Sequence, residues 1–337
     1  MGVPVVVGDV MGPMTSQPTA SKPPLLLVGM PRSGTTWTMR ALAADGSLHG
    51  VMEPDNESRS ASAIWAKRRA GRFPVLDPGD RDPEYRRLWE WILAGADQSP
   101  RLKIAGTTLR AVRDGGRRRF YHGRFSPLMQ LAGAIGAPPR RPPGQPLVNQ
   151  RLLVKSVHLP LAVEWLASEF DVEVLVLLRH PGNVLASWIS LNLLDQFVRL
   201  DENPRIRSRV GVARSILPAG SEPLERMVWQ IGVLTLALED ALSRHPTWRV
   251  RVHDALCIDP PAQFRLLYSD LGLTWNEGVE QYLTTNDRPG VGFPTQRVAS
   301  DQPDGWKSRL TPMQIDVMQE VLSRFPLSTW SAQDLTP

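Results

Sequence analysis

Residues 24–42 read PLLLVGMPRSGTTWTMRAL. An apolar strand, a turn bracketed by glycines and a helix start follow one another without a spacer. Such a turn gathers backbone N–H groups, and the helix N-terminus adds roughly half a positive charge, so the segment is built to hold an anion. Gly29 and Gly34 stand at the G-x-x-x-x-G spacing of a phosphate-binding loop. Thr35 occupies the place where a nucleotide triphosphatase carries its lysine. The later apolar run VEVLVLLRH ends in Arg179, where such an enzyme would need an Asp to hold magnesium. The loop therefore suits a doubly charged group and has no evident magnesium apparatus.

The rest of the chain has the alternation that a parallel sheet requires. RLLVK (151–155), VEVLVLL (172–178) and WRVRVH (248–253) read as strands. Helical patterns are expected at 35–45, 83–96, 159–170, 181–194, 224–245, 260–271 and 311–325. Strands alternating with helices predict an α/β fold, a central parallel β-sheet flanked by helices, with ligands at the carboxyl ends of the strands. Residues 1–23, rich in Gly, Pro, Ser and Thr, are expected to form a loose tail, and 24–337 a single domain. Within it, 101–148 is a basic and Pro-rich insertion or acceptor-side region.

PRSGTTW resembles the 5′-phosphosulfate loop of sulfotransferases that use 3′-phosphoadenosine 5′-phosphosulfate (PAPS). LLRHPGNVLAS places Arg179 and Ser187 eight residues apart, similar to that family's second signature, which grips the 3′-phosphate. RVHDALCIDP (251–260) is similar to its "YEDL…P" segment, with His253 where a Tyr commonly approaches the adenine, and GWKSRLT (305–311) to its "G-x-W-[KR]" cofactor loop. The resemblance covers about residues 24–325 and is least at 70–148. It implies a P-loop-like sulfotransferase fold with PAPS as donor, PAP as product and no metal.

Carried over position by position, the resemblance implies that Arg32, Ser33, Gly34, Thr35 and Thr36 hold the 5′-phosphosulfate. Trp37 lies against the adenine or serves as a core aromatic. Arg179 and Ser187 bind the 3′-phosphate, and Arg297, Ser300, Trp306 and Lys307 complete the nucleotide site from a C-terminal loop. A lysine often stands at the Arg32 position in the family; Arg stays charged, so its part is electrostatic. An acceptor hydroxyl needs a base. Glu53 in HGVMEPDNES resembles the base glutamate of the tyrosylprotein and glycolipid branches. His158 in VKSVHLP resembles the histidine of "KTHLP", with one residue more between Lys and His. Both are expected at strand ends facing the cleft. Glu53 is favoured as base, with His158 as orienter or alternative and Lys155 as an anchor for the sulfonate.

Composition narrows the partners. Only five of the 39 basic residues are Lys, and Arg suits bidentate binding of phosphate and sulfate. No zinc spacing, RNA-binding aromatic signature or basic helix points to nucleic acid. Cys257 is the only cysteine, so no internal disulfide forms. No run reaches the roughly 18 apolar residues of a membrane span, and a secretory signal is not evident at MGVPVVVGDVMGPM. The expectation is a cytoplasmic bacterial enzyme acting on a small-molecule, secondary-metabolite or glycolipid hydroxyl. Trp65, Trp89, Trp91 and Trp188 are candidates for lining its acceptor pocket. The alternatives are a P-loop kinase or NTPase, and a non-catalytic nucleotide-binding protein with the same fold.

Overall fold

The structure, a computed structural model, describes residues 22–95, 136–140, 150–193, 200–211, 217, 222–290 and 296–336. The expected tail, apart from Lys22 and Pro23, and the 101–148 region, apart from 136–140, lie outside the described residues.

Among the described residues, five strands form one parallel sheet: β1 (Leu25–Val28), β2 (Leu48–Met52), β3 (Arg151–Ser156), β4 (Glu173–Leu178) and β5 (Arg249–Val252), in the order β2-β3-β1-β4-β5. β1 pairs on one side with β3, Leu25 opposite Leu153 and Val28 opposite Ser156, and on the other with β4, Leu25 opposite Glu173 and Val28 opposite Val176. Successive side chains of a strand point to opposite faces. Leu26, Val28, Val154 and Val176 accordingly enter one core, and Leu25, Leu27, Leu153, Leu175 and Leu177 the other. Both faces are covered, which is why these strands read as unbroken apolar runs.

The first core lies under the helices Ala61–Lys67, Pro83–Leu93, Val163–Glu169, Pro181–Ser190, Pro223–Arg244 and Pro312–Leu322. The second lies under Thr35–Leu42, Pro260–Leu271 and Glu277–Asn286. The α/β expectation therefore holds, with local differences. Leu159–Ala162 form a turn before the 163–169 helix, with the Ala162 N–H donating to the Leu159 carbonyl at 2.8 Å. His253, expected to end a strand, is the first residue of the His253–Ile258 helix. The Glu277–Asn286 helix buries only Val279 and Leu283, too faint a stripe to stand out in the sequence. Among the described residues no helix is long and apolar enough to cross a membrane.

Trp89 and Trp188 belong to the core with no exposure, not to a pocket wall. The Trp188 indole N–H donates to the Pro31 carbonyl at 3.0 Å and so braces the glycine loop from behind.

Candidate active site

The loop after β1 is shaped by two glycines with different duties. A Cβ on Gly29 would stand 2.5 Å from Ser33 Oγ and 2.7 Å from the Leu177 carbonyl, so the turn closes only over a bare backbone. Gly34 has a φ of 89°, and a Cβ there would come within 2.5 Å of His253 Nε2 and closer still to Cδ2. Arg32 is also left-handed, at a φ of 71°. Non-glycine residues persist in that region only where their surroundings hold them. Among the described residues, no side chain caps the Thr35–Leu42 helix and no acid stands in its first turn, so its N-terminal end is left to the loop. Ser33 is fully buried and its hydroxyl has no hydrogen-bond partner among the described residues, an orphan that an anion's oxygen would satisfy.

Arginines from three segments meet at this loop. Arg32 donates from Nε to the Ser187 hydroxyl at 3.0 Å. Arg179, from the end of β4, donates through Nη1 to the Arg32 carbonyl at 2.9 Å and through Nη2 to Gln302 Oε1 at 3.2 Å; its buried Nε has no partner among the described residues. Arg309 donates to Asn183 Oδ1 at 2.9 Å. These cations strain one another. Burial lowers the pKa of Arg32, and Arg297 lowers it further. Burial pushes Arg179 down to about 10; Asp254 opposes the fall, while Arg309 and Arg32 add to it. Burial and then Arg297 lower Arg309. Crowded, partly dehydrated guanidinium groups of one sign are a receptor for an anion of high charge.

Asp254 ties this corner together. Its carboxylate accepts the His180 N–H and the Asn183 amide, both at 2.8 Å, and the same Asn183 amide donates to the Pro303 carbonyl at 2.8 Å. The ends of β4 and β5 and the 296–309 segment are thereby fastened to each other.

Glu53 follows β2 and sits at a φ of 49°. Its N–H donates to the Lys155 carbonyl at 2.8 Å, locking the residue onto the end of β3. Its carboxylate pairs with the Lys155 ammonium, accepts from Asn56 Nδ2 at 2.7 Å and meets Arg59 at 3.3 Å. Burial alone would raise its pKa, but Lys155, Arg59 and Asn56 together draw it down to about 2. Lys155 also reaches the Thr36 hydroxyl at 3.2 Å, which bridges the carboxylate to the anion loop.

His158 differs from expectation. It is fully buried rather than facing the cleft. Its Nδ1 stands 2.9 Å from the Lys67 ammonium and 3.4 Å from Glu57, and Arg72 Nε approaches its Nε2 at 3.3 Å. Burial, then Lys67, hold its pKa well below 6.5, so the ring is neutral.

The adenine-side residues divide. Trp37 is half-buried and packs edge-on against His253 at 5.6 Å and Phe264 at 5.0 Å. Trp306, expected in the nucleotide site, is buried against Gly182 and stacked on His180 at 4.9 Å, a core contact beneath the 181–190 helix. Lys307 is exposed and pairs with Asp304 at 3.1 Å, and Ser300 is exposed. The Cys257 thiol lies 3.7 Å from the His253 ring and is pushed up to about 12 by burial, so it is no nucleophile at neutral pH.

Sequence reasoning missed Asn183, Asp254, Gln302, Arg309 and Lys67. Asn183, Asp254 and Arg309 had a signal, since they lie inside the LLRHPGNVLAS, RVHDALCIDP and GWKSRLT segments already singled out. Gln302 and Lys67 lie outside every such segment.

No protein-family model matches the chain, and no curated protein does. Among solved structures, the chain is similar to the sulfotransferase domain from the curacin biosynthetic pathway, at 13% identity over 92% of this chain and 100% of that one, with a TM-score of 0.47. It is similar to sulfotransferase STF1 from Mycobacterium tuberculosis H37Rv at 15% identity over 91% and 77%, with a TM-score of 0.40. It is similar also to sulfotransferase STF9 from Mycobacterium avium at 14% identity over 92% and 78%, with a TM-score of 0.38.

Proposed function

We propose that this protein is a PAPS-dependent sulfotransferase, a bacterial cytoplasmic enzyme built on one domain from residue 24 onward, that sulfates a hydroxyl of a small molecule or glycolipid. One observation carries the reading: the glycine loop, with its orphan Ser33 hydroxyl, meets Ser187 and the partly unsatisfied Arg179 through Arg32, so that two anion-binding sets stand side by side. PAPS carries a phosphosulfate and a separate 3′-phosphate, and a site of two joined anion sets fits such a ligand.

In this reading Arg32, Ser33, Gly34, Thr35 and Thr36 hold the 5′-phosphosulfate, and Arg179 and Ser187 the 3′-phosphate. Arg297 and Arg309 add charge from the C-terminal segment, and Trp37 stands beside the base. The acceptor oxygen attacks sulfur as the bond to the bridging phosphate oxygen breaks. The electron pair passes to the phosphate of PAP and the acceptor proton to Glu53. Arg32 and the helix N-terminus stabilise the charge that grows on the leaving oxygen, and Lys155 holds a sulfonate oxygen. His158 supports the Glu53 turn and touches no substrate.

The reading is tested by calorimetry with PAP, then by incubating PAPS with pooled hydroxylated acceptors and searching the products by mass spectrometry for the gain of one SO₃ group. PAP binding in the absence of magnesium, together with a sulfated product, is the expected outcome. Binding of ATP with magnesium in preference to PAP would defeat it.

A further inference from the structure

Lys67 is the last residue of the Ala61–Lys67 helix, and its side chain has no exposure at all. Lysines are almost never buried without partners, because the ammonium surrenders its hydration. Here three partners match its three donors. They are the Asp55 carbonyl at 3.0 Å, Glu57 Oε2 at 2.9 Å and His158 Nδ1 at 2.9 Å. Two of the three belong to the turn that begins at Glu53.

That turn is otherwise fastened at its edges. The Asn56 N–H returns to the Glu53 carbonyl at 3.1 Å, and the Asp55 carboxylate accepts from Ser156 Oγ at 2.8 Å and Tyr85 Oη at 3.2 Å. The Asp55 carbonyl, on the backbone two residues beyond the left-handed Glu53, is held by Lys67. A conformation so sparsely populated survives only where the surroundings over-determine it. Among the described residues, Lys67 bonds only to the 53–57 turn and to His158, away from the glycine loop and Arg179.

We infer that Lys67 is a positioning residue: its bonds to Asp55 and Glu57, with His158 as third partner, hold the 53–57 turn in the form that presents the Glu53 carboxylate to Lys155, which in turn reaches Thr36. The inference rests on the proposed sulfuryl transfer, in which Glu53 accepts the acceptor's proton. Losing Lys67 then slows turnover and leaves the nucleotide site intact.

The test uses the full chain, PAP as binding probe, and hydrolysis of PAPS to PAP and sulfate as the turnover assay, water taking the acceptor's place. Removing the ammonium alone would leave the buried Glu57 carboxylate without its nearest cation, with Arg72 at 3.6 Å as the remaining one, so the Lys67→Met/Glu57→Gln double variant removes both charges together. It is expected to bind PAP within about threefold of wild type, with kcat down about 10- to 100-fold and KM for PAPS little changed. A folded double variant with kcat within about twofold of wild type overturns the inference. Glu57→Gln alone leaves the Lys67 bonds to Asp55 and His158 in place, and should lower the melting temperature while keeping kcat. A loss of about tenfold or more in that variant overturns the inference, whether or not the double variant folds. A wild-type protein that neither binds PAP nor hydrolyses PAPS would instead defeat the proposed function.

Discussion

Arg32 and Ser187 lie 155 positions apart, yet the guanidinium Nε donates to the hydroxyl at 3.0 Å. The residue that the sequence assigns to one phosphate subsite thus already touches the residue assigned to the other. Ser187 only accepts in this contact and keeps its own O–H to donate, so a ligand can reach the serine while the contact stands.

Arg179→Ala removes a buried charge that holds the Arg32 carbonyl and leaves Nε free for a ligand. Hydrogen bonds to charged groups contribute about 1.5–3 kcal/mol, so PAP affinity should fall about 10- to 150-fold. Calorimetry checks this, and an unchanged dissociation constant would take Arg179 out of the site.

Glu53→Gln keeps the shape of the side chain and removes its capacity to accept a proton. Turnover should drop about 10²–10⁴-fold with PAP binding retained. Because Glu53 titrates at about 2 in the free protein, the acid limb of kcat/KM should lie well below pH 4.5. A limb near pH 6.5 would point to another base.

Gly34→Ala meets two obstacles, a positive φ and the His253 ring. The left-handed backbone costs roughly 1–2 kcal/mol, and the ring clash adds to it. The melting temperature and PAP affinity should both fall. Adding His253→Ala relieves the clash and not the backbone strain, so it should recover stability only in part. Full recovery in the double variant would show that φ does not matter here.

Stability should decline as pH falls from about 7 to 5. Burial above all holds His158 and His253 well below their ordinary value of 6.5, with Lys67 and Arg179 acting the same way. In the unfolded chain both titrate near 6.5. The unfolded state therefore takes up protons first, and stability present above that pH is lost on acidification, by up to about 1.4 kcal/mol per pH unit for each histidine. Glu53 and Glu57, held down to about 2, lose their contribution as pH falls from their ordinary value of 4.5 towards 2, so that loss follows the histidine effect at lower pH. Denaturant midpoints across this range measure it; a flat profile would contradict the neutral burial of both rings.

How far the sequence could be read depended on how local the signal was. β1, β3 and β4 were legible because strands covered on both faces must be apolar throughout. That Arg32, Arg179 and Ser187 come together was legible because the two arginines follow strands and Ser187 lies on the helix after β4, and the parallel sheet gathers such ends on one edge. Trp306 was misplaced because a tryptophan beside a basic residue looks the same over a nucleotide as under a helix; Gly182 and His180, more than 120 positions earlier, decide the matter. The burial of His158 was illegible for a like reason. It follows from Lys67 and Arg72, which no spacing rule links to it.

The strand order β2-β3-β1-β4-β5 has one more consequence. β1 and β2 come from the first 52 residues, and they never touch, because β3 from residues 151–156 lies between them. A chain severed anywhere between residues 96 and 149 would give two pieces whose strands interleave like the fingers of clasped hands. The first piece would hold Arg32 and Glu53, the second Lys155, Arg179 and Ser187. Neither could complete the anion site alone, and whatever restored that site would have to rebuild the sheet in the same act. In such a molecule, ligand binding by paired fragments would report their assembly.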